Sequence, residues 1–301
     1  PGDAIAVPDP SYPIHPYGFL LHGADLVGIP QLPGEDPSAY SGDDFLRGFK
    51  KQVEMATKKP VAVILSYPSN PTAQIVNLAF YAEMVDFCRK HGIFILSDVA
   101  YSEIYFNDDP PPSVLQVPRA KEIAVEFTSM SKTYSMPGWR IGFATGNKQL
   151  VAALTKIKSW LDYGAFTPIQ VAAAAALNGP QDCVEQVRML YKRRRDVLVQ
   201  SMAAAGWNIP SPPASMFAWA PLPKGYEPLG SLEFSKLLLQ EAEVAVAPGV
   251  GFGANGEGFI RIALVENEQR IRQAARSVKK FLAQGAPNVT QLNPKKRAAS
   301  R

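Results

Sequence analysis

The sequence predicts an α/β protein: a mostly parallel sheet with covering helices, followed by a smaller α+β domain. Three observations support this. Apolar runs of strand length alternate with stretches of helical periodicity from Val61 to Phe127, the β–α–β order of a parallel sheet. Asn70, Asp98 and Lys132 each stand just past one of those runs, where open parallel sheets gather ligands. After about residue 180 the strands shorten and alternate with only two helices. The boundaries expected are a first domain over 1–180, a second over 181–286, and a disordered basic tail over 287–301.

In order, Ala4 to Val7 is a short buried strand that ends in the turn residues PDPSYP. Tyr12, between Ser11 and Pro13, is presented by that rigid turn. A helix or turn bearing Tyr17 and Phe19 and a strand near Asp25 to Ile29 follow, then a loop over 31–44 and a helix at about 44–56. Val61 to Tyr67 reads as a buried strand running into Pro68-Ser69-Asn70-Pro71-Thr72. Leu78, Tyr81, Met84, Val85 and Cys88 fall at helical spacing, with Gly92 as the stop. Ile93 to Leu96 and Glu122 to Phe127 are the next strands; the first ends at Ser97-Asp98, the second at Ser129 and Lys132. Long helices are expected over 147–162 and 168–205. Beyond them come strands at Met216–Ala220, Glu243–Ala247 and Phe259–Val265, and helices at Leu232–Glu241 and Asn267–Gln284.

Composition narrows the function. The chain has 301 residues, 47% of them hydrophobic and 19% charged, which fits a soluble globular protein with a real core. The net charge of +4 is spread through the sequence. The exception is Lys295, Lys296, Arg297 and Arg301 in the tail, and nucleic-acid binding would need a basic face on the folded part. Cys88 and Cys183 have no metal-type spacing, so a reduced cytoplasmic compartment is expected. No apolar run is long enough to span a membrane. The chain opens directly on a strand pattern without an initiator Met, as the inside of a longer protein would.

The chemistry centres on TSMSKTYSMPGWRIG, residues 128–142, with Lys132 between Ser129 and Ser131 and Arg140 eight residues on. Such a set suits a lysine held covalently by a phosphorylated aldehyde, with Ser129 and Arg140 gripping the phosphate. A solvated lysine in a polar turn is the plainer reading. Asp98 could be a turn or N-cap residue, or a carboxylate that keeps a pyridine nitrogen protonated. Tyr101 and Asn70 could hydrogen-bond a ring hydroxyl, and Tyr12 could stack on the ring. Arg261, inside the strand FIRIAL, is either half of an internal ion pair or a clamp for a substrate carboxylate. His15, His22 and His91 are isolated and read as structural or surface residues. Gly249, Gly251 and Gly253 read as a tight turn that brings backbone close to the site.

With PSYP, YPSNPTA, SDVAY, SMSKTYSMPGWRIG and FIRIAL in this order and spacing, the chain resembles the class I/II aminotransferases of fold type I. The likeness runs from residue 1 to about 284. At finer grain it resembles the branch holding glutamate–pyruvate (alanine) and LL-diaminopimelate aminotransferases. The resemblance implies a pyridoxal 5′-phosphate enzyme with Lys132 as the Schiff-base and proton-shuttling lysine. It implies Asp98 at the pyridine nitrogen, Tyr101 and Asn70 at the ring hydroxyl, and Ser129 and Arg140 at the phosphate. Tyr12 would be the stacking aromatic and Arg261 the α-carboxylate clamp, with Asn70 also touching substrate. Ping-pong transamination between alanine or glutamate and pyruvate or 2-oxoglutarate is implied, as is a homodimer.

Family members carry a further N-terminal stretch that helps bind the phosphate and reaches into the partner's site. From this chain alone, low or no turnover is expected. On the same scaffold β-elimination or decarboxylation would use the same Lys132, Asp98 and Arg140. A ligand-sensing transcriptional regulator is a more remote alternative.

Overall fold

The computed structural model describes residues 1–31 and 42–286. Most of the loop expected over 31–44, and the basic tail from 287, lie outside the described residues. The first sheet is built from β1 (Ala4–Asp9), β2 (Asp25–Pro30), β3 (Pro60–Ser66), β4 (Phe94–Asp98), β5 (Ala124–Ser129) and β6 (Gly142–Gly146). Their order is β2-β1-β3-β4-β5-β6, parallel throughout except that β6 runs antiparallel to β5. From β1 the chain moves outward to β2, then returns on the other side to lay down β3. The strand order therefore reverses between β1 and β3, the kind of switch point at whose carboxyl ends open α/β sheets bind ligands.

Burial explains these strands. β3 is Pro-Val-Ala-Val-Ile-Leu-Ser, and all but Val61 is buried, as a central strand covered on both faces must be. The helices α2 (Asp43–Met55) and α3 (Leu78–His91) turn Phe45, Phe49, Val53, Phe80, Tyr81, Met84, Val85 and Cys88 into one core with Val63, Leu65 and Ile95. Asn77 caps α3: its Oδ1 accepts the Phe80 N–H at 2.9 Å. Arg89, Lys90 and His91 stand in the last turn, where the helix dipole favours positive charge. The short helix α1 (Ile14–Leu20) follows β1 directly.

Four departures from the sequence reading have local causes. Residues 120–122 close into a 3₁₀ turn through the Glu122 N–H to Arg119 O and Ile123 N–H to Ala120 O bonds, so β5 starts at Ala124 rather than Glu122. Lys132 then falls on the one-turn helix α4 (Met130–Thr133). Strand β6 was not expected, because its glycine-bounded GFATG lacks a strand's apolar alternation. Glycine lets it approach: a Cβ on Gly142 would lie 2.4 Å from the Thr128 carbonyl oxygen.

The helix expected over 168–205 is two helices, α6 (Thr167–Asn178) and α7 (Asp182–Ala204), behind α5 (Lys148–Leu161). Pro180 has no amide hydrogen to continue the ladder, and Gly179 before it is extended. The strand expected over 243–247 shrinks to β8 (Ala247–Pro248), because Glu243 turns left-handed (φ 56°) to end α8 (Gly230–Ala242).

With β7 (Phe217–Pro221) and β9 (Phe259–Ala263), β8 makes a second, antiparallel sheet in the order β7-β9-β8. Helix α9 (Glu268–Ala283) packs against α7 and α8. The core here includes Trp207, Phe234, Leu238, Ile260, Val278 and Phe281, and it also takes in Tyr101, Ile104 and Phe106 from just beyond β4. Cys88 is buried and Cys183 exposed, and both are free thiols.

Candidate active site

Residues at or just past the carboxyl ends of β1, β3, β4 and β5 are brought together with Arg261 of β9. Asp98 closes β4, and its Oδ1 accepts the Ala100 N–H at 3.1 Å. Its other oxygen lies 2.9 Å from Nε2 of His15, a buried residue of α1. A carboxylate only accepts, so Nε2 carries the proton in this bond. Nδ1 of His15 is buried without a partner. The Tyr12 ring meets the His15 ring edge-on with centroids 5.8 Å apart, and it is 43% exposed.

Asn70, just past β3, is buried, and its Oδ1 accepts from Arg261 Nη1 at 2.7 Å. Tyr101 is buried beside it. Burial, and then the Asp98 carboxylate, push its phenol above the ordinary range, while Asn70 and Arg261 pull the other way. It remains a hydrogen-bond donor at neutral pH. The Arg261 guanidinium lies against the rings of Phe217 and Phe252, 4.1 and 4.5 Å from their centroids. Burial disfavours its charge, which the nearby Tyr101 and Tyr12 support, and its Nε is buried without a partner. Among the described residues Arg261 makes no internal ion pair, the alternative the sequence left open; its hydrogen-bond partner is the neutral Asn70.

Lys132 is half-buried on α4. Burial, and then the positive charges of Arg140 and Arg261, hold its amine below the usual lysine range. A lysine so placed has a larger neutral, nucleophilic fraction than a free one. Ser129 caps α4, its Oγ accepting the Ser131 N–H at 3.2 Å. Arg140 is exposed and left-handed (φ 50°), and its Nη1 donates to Pro137 O at 2.8 Å. Ser129 and Arg140 come near one another through the backbone: Ser129 pairs with Gly142, and the Met130 N–H donates to Ile141 O at 3.2 Å.

Tyr12, Asn70, Asp98, Tyr101, Lys132 and Arg261 thus form one cluster of neighbours, with Ser129 and Arg140 on its β5–β6 side. Sequence reasoning set His15 aside as structural, but it sits on Asp98. Its signal was its position three residues after Tyr12, one helical turn on. Phe217 and Phe252 gave no signal, because nothing in β7 or in the glycine turn shows what their rings face. Among the described residues no His, Cys, Asp and Glu side chains cluster as a metal site.

The donor set fits pyridoxal phosphate. It offers a depressed amine for an aldehyde, a carboxylate for a pyridine nitrogen, a buried phenol and amide for a ring hydroxyl, and a guanidinium and hydroxyl for a phosphate. Fold and site together describe an α/β enzyme that handles amino acids with this cofactor. The family model for aminotransferase class I and II matches residues 1–278, and the chain belongs to that pyridoxal-phosphate-dependent family.

Among its relatives, the putative aminotransferase AatC of Rhizobium meliloti is 56% identical over 296 residues, 97% of this chain and 71% of that one. The glutamate-pyruvate aminotransferase AlaC of Escherichia coli is 48% identical over 92% of this chain and 66% of its own length. An LL-diaminopimelate aminotransferase of Moorella thermoacetica is 38% identical, over 94% of this chain and 70% of its own. The chain thus spans about two thirds to seven tenths of these relatives. Apo-BacF from Bacillus subtilis superposes with a TM-score of 0.85 at 33% identity, over 93% of this chain and 72% of that one. The mostly parallel sheet and the fold type I architecture agree with the sequence expectation.

Proposed function

We propose that this aminotransferase exchanges the amino group between alanine or glutamate and the oxo acids pyruvate or 2-oxoglutarate. Resemblance to a glutamate-pyruvate aminotransferase supports that pair. The observation that carries the site assignment is Arg261 fixed by Asn70 in the same cluster as Lys132 and Asp98. Arg261 binds the α-carboxylate through the edge of its fork, and Asn70 sets the angle of that fork. Asp98, oriented by His15 and Ala100, holds a positive charge at the pyridine nitrogen. Tyr101 and Asn70 bind the ring hydroxyl, Tyr12 covers the ring, and Ser129 and Arg140 take the phosphate. Pyridoxal phosphate, when bound, supplies the electron sink that makes a substrate's Cα–H bond acidic. Lys132 holds the cofactor and carries the Cα proton, a task suited to an amine poised below its ordinary pKa.

The assembly proposed is a homodimer. Trp160, Leu161, Tyr163, Phe166 and Val171, on α5, α6 and their connection, are all more than 60% exposed, more apolar surface than an isolated face carries. The two sheets support a division into a domain over 1–180 and one over 181–286, with residues 101–106 lending side chains to the second core. A cytoplasmic enzyme fits a described chain in which no helix is long and apolar enough to cross a membrane. A second substrate reading, LL-diaminopimelate, is favoured by the names of several relatives.

The test is the absorbance of the cofactor-loaded full-length protein before and after L-alanine. A visible-edge band that moves to shorter wavelength with release of pyruvate is expected. A band that answers only diaminopimelate keeps the reaction and changes the substrate. A protein that gains no such band with pyridoxal phosphate overturns the site assignment.

A further inference from the structure

Arg261 is held by more than Asn70. One of the two rings against its guanidinium, Phe217, comes from β7, the strand paired with β9, so the sheet itself places it. The other, Phe252, comes from the 3₁₀ turn Gly249–Phe252 between β8 and β9, and no sheet hydrogen bond fixes that turn over Arg261.

Ser231 Oγ accepts the Val250 N–H of the turn at 3.2 Å, and the rest of what fixes it lies at the far end of the chain. The Phe252 carbonyl accepts the Ser11 N–H at 2.8 Å. Asp9, the last residue of β1, accepts from Asn255 twice, from Nδ2 at 2.8 Å and from the backbone N–H at 3.3 Å. Gly253, between them, is at φ +135°, and a Cβ there would lie 1.9 Å from Asp9 Oδ1. A side chain at 253 would drive the turn off Asp9. Phe252 is also buried against Trp219, with centroids 5.9 Å apart, and Trp219 in turn stacks on Phe259.

We infer that Phe252, clamped by the Asp9–Asn255 latch across Gly253, is a positioning residue that fixes the plane of the Arg261 guanidinium and so sets the affinity for a substrate's α-carboxylate. The latch joins the strand that leads to Tyr12 and His15, on the cofactor side, to the turn that packs the carboxylate clamp. A ring against a guanidinium attracts it and removes the rotamers that would swing its fork away. A carboxylate grip of this kind is present before and during the reaction, so loosening it raises KM and leaves kcat in place. This inference rests on Arg261 as the carboxylate clamp.

The experiment measures binding of propionate, a monocarboxylate that cannot react, to cofactor-loaded protein by competition with L-alanine and to cofactor-free protein by calorimetry. It is run on wild type, Phe252→Leu, Phe252→Tyr, Gly253→Ala, Asn255→Ala and Arg261→Met. Phe252→Leu and Gly253→Ala are expected to weaken propionate and raise the KM for alanine about tenfold. Their kcat should stay within about twofold of wild type and their cofactor affinity should not change. Phe252→Tyr, which keeps the ring, should restore wild-type values. Should Gly253→Ala not fold, Asn255→Ala removes the side-chain half of the latch and should move the same way by a smaller factor.

The inference is overturned if Phe252→Leu leaves propionate untouched while Arg261→Met abolishes it, or if Phe252→Leu lowers kcat and cofactor affinity as much as it raises KM. If Arg261→Met itself leaves propionate binding intact, the clamp assignment falls, and the positioning role falls with it.

Discussion

The two arginines proposed to grip anions are held in opposite ways. Arg261 is part-buried, hydrogen-bonded to Asn70 and packed on two phenyl rings, one of them from a turn that is latched to β1. Arg140 is exposed in a left-handed conformation, and its only described hydrogen bond is to a carbonyl of its own turn. Pre-organisation differs accordingly. At Arg261 the side-chain ordering is already done before a ligand arrives, whereas at Arg140 a phosphate must order the side chain as it binds. The carboxylate side of the site is therefore the rigid one, and the phosphate side the adaptable one.

The largest effect expected bears on both sides at once. Lys132→Ala removes the amine beside Arg140 and Arg261, so the protein should lose its covalent visible-edge band and at least about a thousandfold in turnover, while retaining propionate binding at Arg261. If propionate binding vanished with Lys132, the two sides would not be separable as described.

Next come the two arginines. Arg261→Met strips a charge-assisted, pre-organised contact and should raise the KM for alanine about a hundredfold, with cofactor affinity nearly intact. Arg140→Met should leave the propionate affinity alone and weaken pyridoxal phosphate about tenfold, less because an exposed pairing is screened and must pay its own ordering. Equal losses from the two substitutions would erase the contrast between the rigid and the adaptable side.

A smaller effect is expected at Asp98. His15→Ala leaves one carboxylate oxygen without its 2.9 Å partner, while the Ala100 N–H still holds the other. Cofactor affinity should drop by a few-fold, and His15→Asn or Gln should recover part of it if hydrogen bonding to Asp98 is the cause. Unchanged affinity in His15→Ala would return this residue to the structural role its sequence suggested.

Much of this arrangement was legible in the chain. Strand ends could be read because Val61–Tyr67 and Ile93–Leu96 are apolar runs stopped by Pro68-Ser69-Asn70 and Ser97-Asp98, which put Asn70 and Asp98 on one edge of a sheet. The Lys132–Arg140 stretch showed its chemistry through residue types alone. What escaped was whatever depends on register or on distant contacts. β5 slid two residues because a 3₁₀ turn took up 120–122, β6 is held by close backbone approach rather than by an apolar pattern, and Pro180 cut a periodic helix in two. His15 and Phe252 act through partners 83 and 9 residues away in sequence, contacts that local periodicity does not encode.

The smallest effect expected is a displacement in pH, and it tests whether the two sides communicate through Lys132. Burial is the main cause of that amine's lowered pKa, with Arg140 and then Arg261 adding like-charge repulsion. An aldehyde reacts with the neutral amine, so capture improves as pH rises through the pKa of Lys132 in the folded protein, which lies below that of an ordinary lysine. Replacing either arginine by Met removes a positive neighbour, raises that pKa and moves the capture profile to more alkaline pH. Pyridoxal without its phosphate is the right probe, because Arg140→Met then changes the field at Lys132 without removing a contact to the ligand. The Arg140 contribution should shrink with added salt because its charge is exposed, while that of the part-buried Arg261 should persist. A profile that stays put in both variants would leave burial as the sole cause of the lowered pKa, and the carboxylate and phosphate sides would then act on the lysine independently.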